Sequence, residues 1–287
     1  MIDTVNFKKY FGSIEVNTIV GIPSGYTPET DAFILAVKSG GDTLTSTEIN
    51  AVDQLVLDLQ AASIWTTMGY LYPFVGGTST SMKWNLRDTT TAQITWYGGM
   101  TFSSQGILGN ASNSGGDSGL NPVTLSYNQM AMGGYLNNVS ASVDPASGWY
   151  DFGMYDATTT SDVMLSWGWK HVGEKWTNFT SFPPGDYTKL IGGGTSYTGS
   201  VVYGQNSGGS PGNQDIVEGS QVFFSPAAYI DLSTENVGVG CSWRGSVYGS
   251  TGRGFGLAFA ANDYYNLTER TALDNAITTF VTSLSRE

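Results

Sequence analysis

Few side chains in this sequence are of the types that carry out turnover. His171 is the single histidine among 287 residues. A Ser-His-Asp triad would have to be built on it, and its setting, WGWKHVGEKW, contains no nucleophile elbow. A lone histidine in a strand is more often structural than a base. Cys241 is the single cysteine, so no intrachain disulfide can form. Between Gly240 and Ser242-Trp243 it reads as a small buried hydrophobe. One His and one Cys cannot supply the usual ligands of zinc. The expectation is no catalytic set and no metal centre.

Paired carboxylates are the closest alternative. Glycoside hydrolysis needs two carboxyls roughly 5 Å apart for retention, or ~6.5–9.5 Å apart for inversion. On one strand that means acids at i and i+2 or i+4. Asp151 and Asp156 have the wrong parity, Asp215 and Glu218 lie beside a Gly-rich loop, and no E-x-D-x-E string occurs. A polysaccharide depolymerase is therefore the alternative to a non-enzymatic reading. Calcium is the one ion that loop oxygens here would suit, at Asp117, Asp144, Asp215 and Asp263. None of these belongs to a dense D-x-D-x-D string, and each reads first as a turn residue capping backbone amides.

Aromatic side chains offer a different chemistry, because their faces stack on pyranose rings while Asn, Asp and Arg bond the hydroxyls. Trp243-Arg244 with Tyr248, or Tyr197 with Tyr203, are the candidate ligand-binding residues beside Gly/Ser-rich loops. The bland reading of any of the 8 tryptophans is core or subunit contact.

Two amphipathic helices bracket the elements that would position these groups. In TSTEINAVDQLVLDLQAAS (45–63), Thr45 and Glu48 have capping-box spacing, and Ile49, Val52, Val56 and Leu59 share one face. In the closing segment from Asn266, Glu269 again stands three residues after the cap. Leu273, Ile277, Phe280 and Leu284 form its stripe, widened by Val281. The first helix leads into WTTMGYLYPFVGG (65–77), where Pro73 and Gly76-Gly77 end an extended run.

Between the helices, short β-like runs alternate with turn clusters. These are SMKWNLRD, AQITWYGGMTF, TLSYNQMAMGGYL, GWYDFGMYD, DVMLSWGWKHV, YTKLIGGG, SYTGSVVYGQ, QVFFSPAAYIDL, VGVGCSWRGSVYG and GRGFGLAFAAND. In GWYDFGMYD, Tyr150, Phe152 and Met154 share one face. Residues 106–122 and 204–215 read as exposed loops. Strands this frequent without intervening helices mark an antiparallel sandwich. Near the start, VNTIVGIP (16–23) reads as a strand and DAFILAV (31–37) as either a short helix or a strand.

The order of several short motifs resembles a group of tailed-phage virion structural proteins with a concanavalin A-like/laminin G-like domain. The matching residues are Ile64-Trp65, Met68, Tyr72-Pro73-Phe74-Val75-Gly76-Gly77, residues 83–88 (KWNLRD), Gly98-Gly99 and 280–286. The resemblance implies an all-β fold, a concanavalin-like/laminin-G-like antiparallel β-sandwich (jelly roll) flanked by two helices. It implies an N-terminal arm over 1–44, an amphipathic helix over 45–68, the sandwich over 69–265 and a closing helix over 266–287. It implies a structural role in the virion, as tail fibre, baseplate or head-surface component. The partners would be other virion proteins and copies of itself, with a host-surface glycan as a further contact.

Composition agrees with that setting. Gly at 38 residues with 13% aromatics points to tight turns between strands rather than disorder. A net charge of -12 argues against binding phosphate backbones or anionic lipid. No apolar run is long enough to span a bilayer, so neither nucleic acid nor membrane is expected as a partner.

Overall fold

The computed structural model describes residues 25–121, 130–138, 152–156, 161–167, 174–178, 188–191, 201–206, 213–218, 221–226, 235–243, 245–248, 252, 254–263 and 265–286. Residues 16–23, Asp144, Asp151, His171, Tyr197 and Arg244 lie outside them.

Among the described residues three α-helices are formed: α1 (Pro28–Ser39), α2 (Ser46–Ala61) and α3 (Leu267–Ser283). The capping boxes at Thr45/Glu48 and Asn266/Glu269 are both made. The segment read as ambiguous at 31–37 is helical, and it belongs to the folded body rather than to an arm. Thr27 caps it, Pro28 takes its first position, and Phe33 and Val37 are buried in the core shared with α2. The second helix stops at Ala61, short of residue 68, because Ser63 turns left-handed at φ 62°.

All three helices end in the same way. The N–H groups of Gly41, Ser63 and Ser285 donate to the carbonyls of Lys38, Gln60 and Thr282. Those of Asp42, Ile64 and Arg286 donate to Val37, Leu59 and Val281. These are Schellman closures, with Gly41, Ser63 and Ser285 at positive φ.

The strands are β1 (Met68–Tyr72), β2 (Thr95–Tyr97), β3 (Thr101–Ser103), β4 (Gly106–Leu108), β5 (Gly115–Asp117), β6 (Met130–Asn138), β7 (Phe152–Asp156), β8 (Ser161–Trp167) and β9 (Glu174–Asn178). They continue with β10 (Thr188–Ile191), β11 (Val201–Asn206), β12 (Asn213–Glu218), β13 (Gln221–Pro226), β14 (Gly238–Val239), β15 (Ser242–Trp243), β16 (Val247–Tyr248) and β17 (Gly254–Ala261). One sheet runs β13-β12-β11-β6-β17-β4-β3, with β1 sharing the β4 edge of β17. The outer sheet runs β10-β9-β8-β7-β14-β5-β2, with β15 beside β7 and β16 beside β15. Pairing is antiparallel except for the single β15–β7 bridge.

Strand β17 shows how the layers are assembled. Leu257, Phe259 and Ala261 face the helices, whereas Phe255, Ala258 and Ala260 face the outer sheet. The parity of Phe255 is out of step because the register shifts between Phe255 and Leu257, a bulge at Gly256. Phe255 meets Phe152 of the outer sheet at 5.2 Å, edge to face. The helices thus cover one face of the first sheet and the outer sheet covers the other. The result is mostly antiparallel β-structure in two packed sheets with helices on one side.

Three sequence expectations are corrected, the first being that 204–215 is loop throughout: its ends belong to β11 and β12. Residues 81–88 form no strand: Asn85 replaces the ladder there with its side chain. Its Oδ1 accepts from the N–H groups of Leu71 and Arg87, both at 3.0 Å, and its Nδ2 donates to Gly69 at 3.2 Å. The stretch 106–122 is not all exposed loop, because it contributes β4 and β5. Ser114, Gly115, Gly116 and Ser118 in it are buried, since neighbouring side chains occupy the space that glycine leaves.

Two of the motifs carrying the resemblance, 72–77 and 280–286, meet at one buried junction. Glu48 Oε1 accepts from the N–H of Gly76 at 2.8 Å, while its Oε2 completes the α2 cap. Arg286, 1% exposed, reaches back from the end of α3. It donates to the carbonyls of Ser104 (2.8 Å), Gly256 (3.0 Å), Phe74 (3.0 Å) and Pro73 (3.2 Å). Inside the sandwich, Tyr70, Tyr72, Phe74, Trp96 and Phe102 form a continuous run of ring contacts from the core to the sheet edge.

Candidate functional site

The outer sheet owes its surface to the sequence Gly115-Gly116-Asp117. Pairing with β2 puts Tyr97 opposite Gly115, Trp96 opposite Gly116 and Thr95 opposite Asp117. Alternation then sends Trp96 inward, where it and Ile94 fill the space at Gly116. Tyr97, Gly115, Thr95 and Asp117 share the outward face.

The chain after β14 doubles back over that face. Gly240 turns at φ 70°, and Cys241 Sγ comes to 2.4 Å from where a Gly115 side chain would begin. At Gly238 the corresponding position is 2.4 Å from the Cys241 carbonyl oxygen and 2.9 Å from the Trp243 nitrogen. These glycines are what let the segment lie flat on the sheet. Trp243 is consequently only 6% exposed, with its ring 5.0 Å from that of Tyr97 and tilted by 38°. Tyr97 is 40% exposed.

Trp243, expected as an exposed stacking face, is instead a buried support, and among the described residues the exposed large aromatic is Tyr97, which sequence reasoning passed over. Its signal was an aromatic directly before Gly98-Gly99 at a sheet edge. Tyr248 lies in β16 opposite Ser242, and Tyr203 lies in β11 of the other sheet, between Val217 and Gly133. Tyr203 and Trp243 are thus on separate sheets.

A polar loop borders Tyr97. Asn110 Oδ1 accepts from the N–H groups of Ser112, Asn113 and Ser114 at 3.0–3.1 Å, and Asn110 Nδ2 donates to Asn113 Oδ1 at 2.9 Å. The loop is clamped to the β2–β3 turn at Gly98, whose missing side chain would begin 2.1 Å from the Asn113 carbonyl oxygen. Asn110, Ser112 and Asn113 are exposed. Asp117, half-buried, accepts from Gly119 N–H at 2.8 Å and from Asn236 Nδ2 at 3.2 Å. Among the described residues no group of three His, Cys, Asp or Glu side chains converges to hold a metal ion. No helix among them is long and apolar enough to cross a membrane. Elsewhere, a groove of about 230 Å³ between α2 and α3 is lined mainly by Thr47, Asn50, Gln54, Thr279 and Ser283.

Burial pushes the Cys241 thiol up to about 12, and burial followed by Tyr70 and Asp117 holds the Tyr72 phenol well above its usual value. In both cases the folded chain keeps a proton that the unfolded chain releases at lower pH. The unfolded state then binds fewer protons, so stability falls as pH rises. For the thiol this begins near the unfolded value of 9.0. Arg286, pushed down from 12.5 to about 10, acts in the opposite sense only above that value. Urea midpoints should therefore decline from about pH 9 to about pH 10, by no more than ~1.4 kcal/mol per pH unit for one group. At about pH 8 Cys241 should resist a thiol reagent until the protein unfolds. Full labelling of the native protein would contradict this burial.

No protein-family model matches the chain, and no curated protein matches it. Among solved structures it is similar to the Ruminococcus gnavus IT-sialidase CBM40 bound to α2,3-sialyllactose. The identity is 13%, the TM-score is 0.42, and the match covers 58% of this chain and 96% of that one. It is also similar to the binding domain of Botulinum neurotoxin DC in complex with SialylT. There the identity is 9%, the TM-score 0.36, and the coverage 66% of this chain and 48% of that one. Values this low establish neither a common fold nor a common ligand.

Proposed function

We propose that this chain is a non-enzymatic structural protein of a tailed-phage virion, on the tail fibre, the baseplate or the head surface. Its sandwich, of the concanavalin/laminin-G jelly-roll kind, makes protein–protein contact and engages a glycan of the host surface. One observation carries the reading. Two of the short motifs that resemble the virion group, 72–77 and 280–286, lie far apart in the sequence, yet they are joined through Arg286 and Pro73, 213 residues apart. That contact supports reading the two motifs as parts of one platform, with the outer sheet and its loops as the contact surface.

Mass spectrometry of purified particles from the phage that encodes the chain tests the first half. The expected result is a stoichiometric virion component, with the isolated protein oligomeric by light scattering. Absence from the particle, while the protein accumulates in infected cells, overturns the proposal.

A further inference from the structure

We infer that Tyr97 is the stacking surface of a binding site for an uncharged pyranose, with the Asn110 loop and Asp117 as its hydrogen-bonding border. The inference rests on the glycan-contact reading above and gives it a place and a ligand class. Of the exposed large apolar side chains among the described residues, Leu35, Leu57 and Leu267 are aliphatic and sit on helices. Tyr97 is the aromatic one, and it sits on a sheet edge.

Its ring is held in advance. Trp243 is seated beside it on the glycine patch, so little side-chain freedom remains to be lost on binding. Flat aromatic rings with few rotatable bonds are efficient contact surfaces for this reason. The polar border is equally fixed, because Asn110 spends its own oxygen on three backbone amides and thereby sets the loop that carries Ser112 and Asn113. Asp117 lies on the same face, diagonal to Tyr97 across the β2–β5 pair, a spacing of roughly 7–8 Å. That spacing suits a hydroxyl at the margin of a ring stacked on the tyrosine.

Charge selects among sugars. A carboxylate on the same face, on a chain of net charge -12, repels sialic and uronic acids and accepts hydrogen bonds from neutral hydroxyls. The outer edge is also a three-residue strand followed by Gly98-Gly99, so the two residues after Tyr97 carry no side chain to cover its ring.

The test is a printed array carrying neutral and sialylated oligosaccharides, followed by calorimetry with the strongest neutral hit. The full chain should retain neutral glycans. Tyr97→Ala should lose tenfold or more in affinity while still unfolding in one cooperative transition. Its melting temperature should be lowered only by the lost ring contact with Trp243. Tyr97→Trp should keep most of the binding. If wild type binds and Tyr97→Ala binds equally well, this site is wrong while glycan contact stands. Retention of sialylated glycans alone would overturn the ligand class. Silence across the whole array overturns both this site and the glycan-contact reading.

Discussion

Arg286→Met is expected to lower unfolding free energy by roughly 3–5 kcal/mol, read as a fall in urea midpoint at unchanged slope. The substitution keeps volume and removes a cation, and replacing a buried ion pair by apolar groups is often neutral. Here the two cases differ in kind. The partners of Arg286 are backbone carbonyls of Pro73, Phe74, Ser104 and Gly256, which no mutation of one residue can remove. Each carbonyl left dry costs about 1–3 kcal/mol, less whatever water or relaxation recovers. Arg286→Lys should recover only part of the loss, since an ammonium lacks the planar fork that reaches several acceptors. A change below ~1 kcal/mol for the methionine variant would show that the latch is not formed in solution.

Gly106→Ala should be comparably damaging for a steric reason. Gly106 has φ 111°, and a side chain there would begin 2.0 Å from the carbonyl oxygen and 2.9 Å from the carbonyl carbon of Phe255. Both are backbone atoms of the central strand, so neither can swing aside. The outcome is either separation of β4 from β17 or distortion of the Gly256 bulge, on the order of 3 kcal/mol or more with the left-handed strain included. Gly41→Ala is the control. It too has positive φ, 91°, but nothing stands within 4 Å. It should lose only about 1–2 kcal/mol. Equal melting temperatures for the two variants would refute the packing at Gly106.

Local rules were legible wherever one residue type has one use. Thr45/Glu48 and Asn266/Glu269 announced their helices because a capping box needs only four consecutive residues. The alternation in GWYDFGMYD put Phe152 on one face with Tyr150 and Met154, and the structure buries Phe152 against Phe255. The start of α1 at Thr27-Pro28-Glu29 carries no such signal, because Thr and Pro are shared vocabulary of turns and helix starts. The burial of Gly115-Gly116 could not be read at all. What fills their space is Cys241, Ile94 and Trp96, and sequence distance hides such a fit. For the same reason Trp243 looked like an available face: its shielding depends on a turn at Gly240 and on glycines in two other strands.

Strand β17 is buried along its whole length and lies between β6 on one side and β1 and β4 on the other. Translation delivers it after every other strand named above. Until then the nascent chain exposes two unpaired edges and two uncovered apolar faces, the condition under which sheets join wrong partners. Domain closure is therefore expected to wait on late synthesis. Messages cut short before codon 254 should yield chaperone-bound or aggregated material instead of a smaller soluble body.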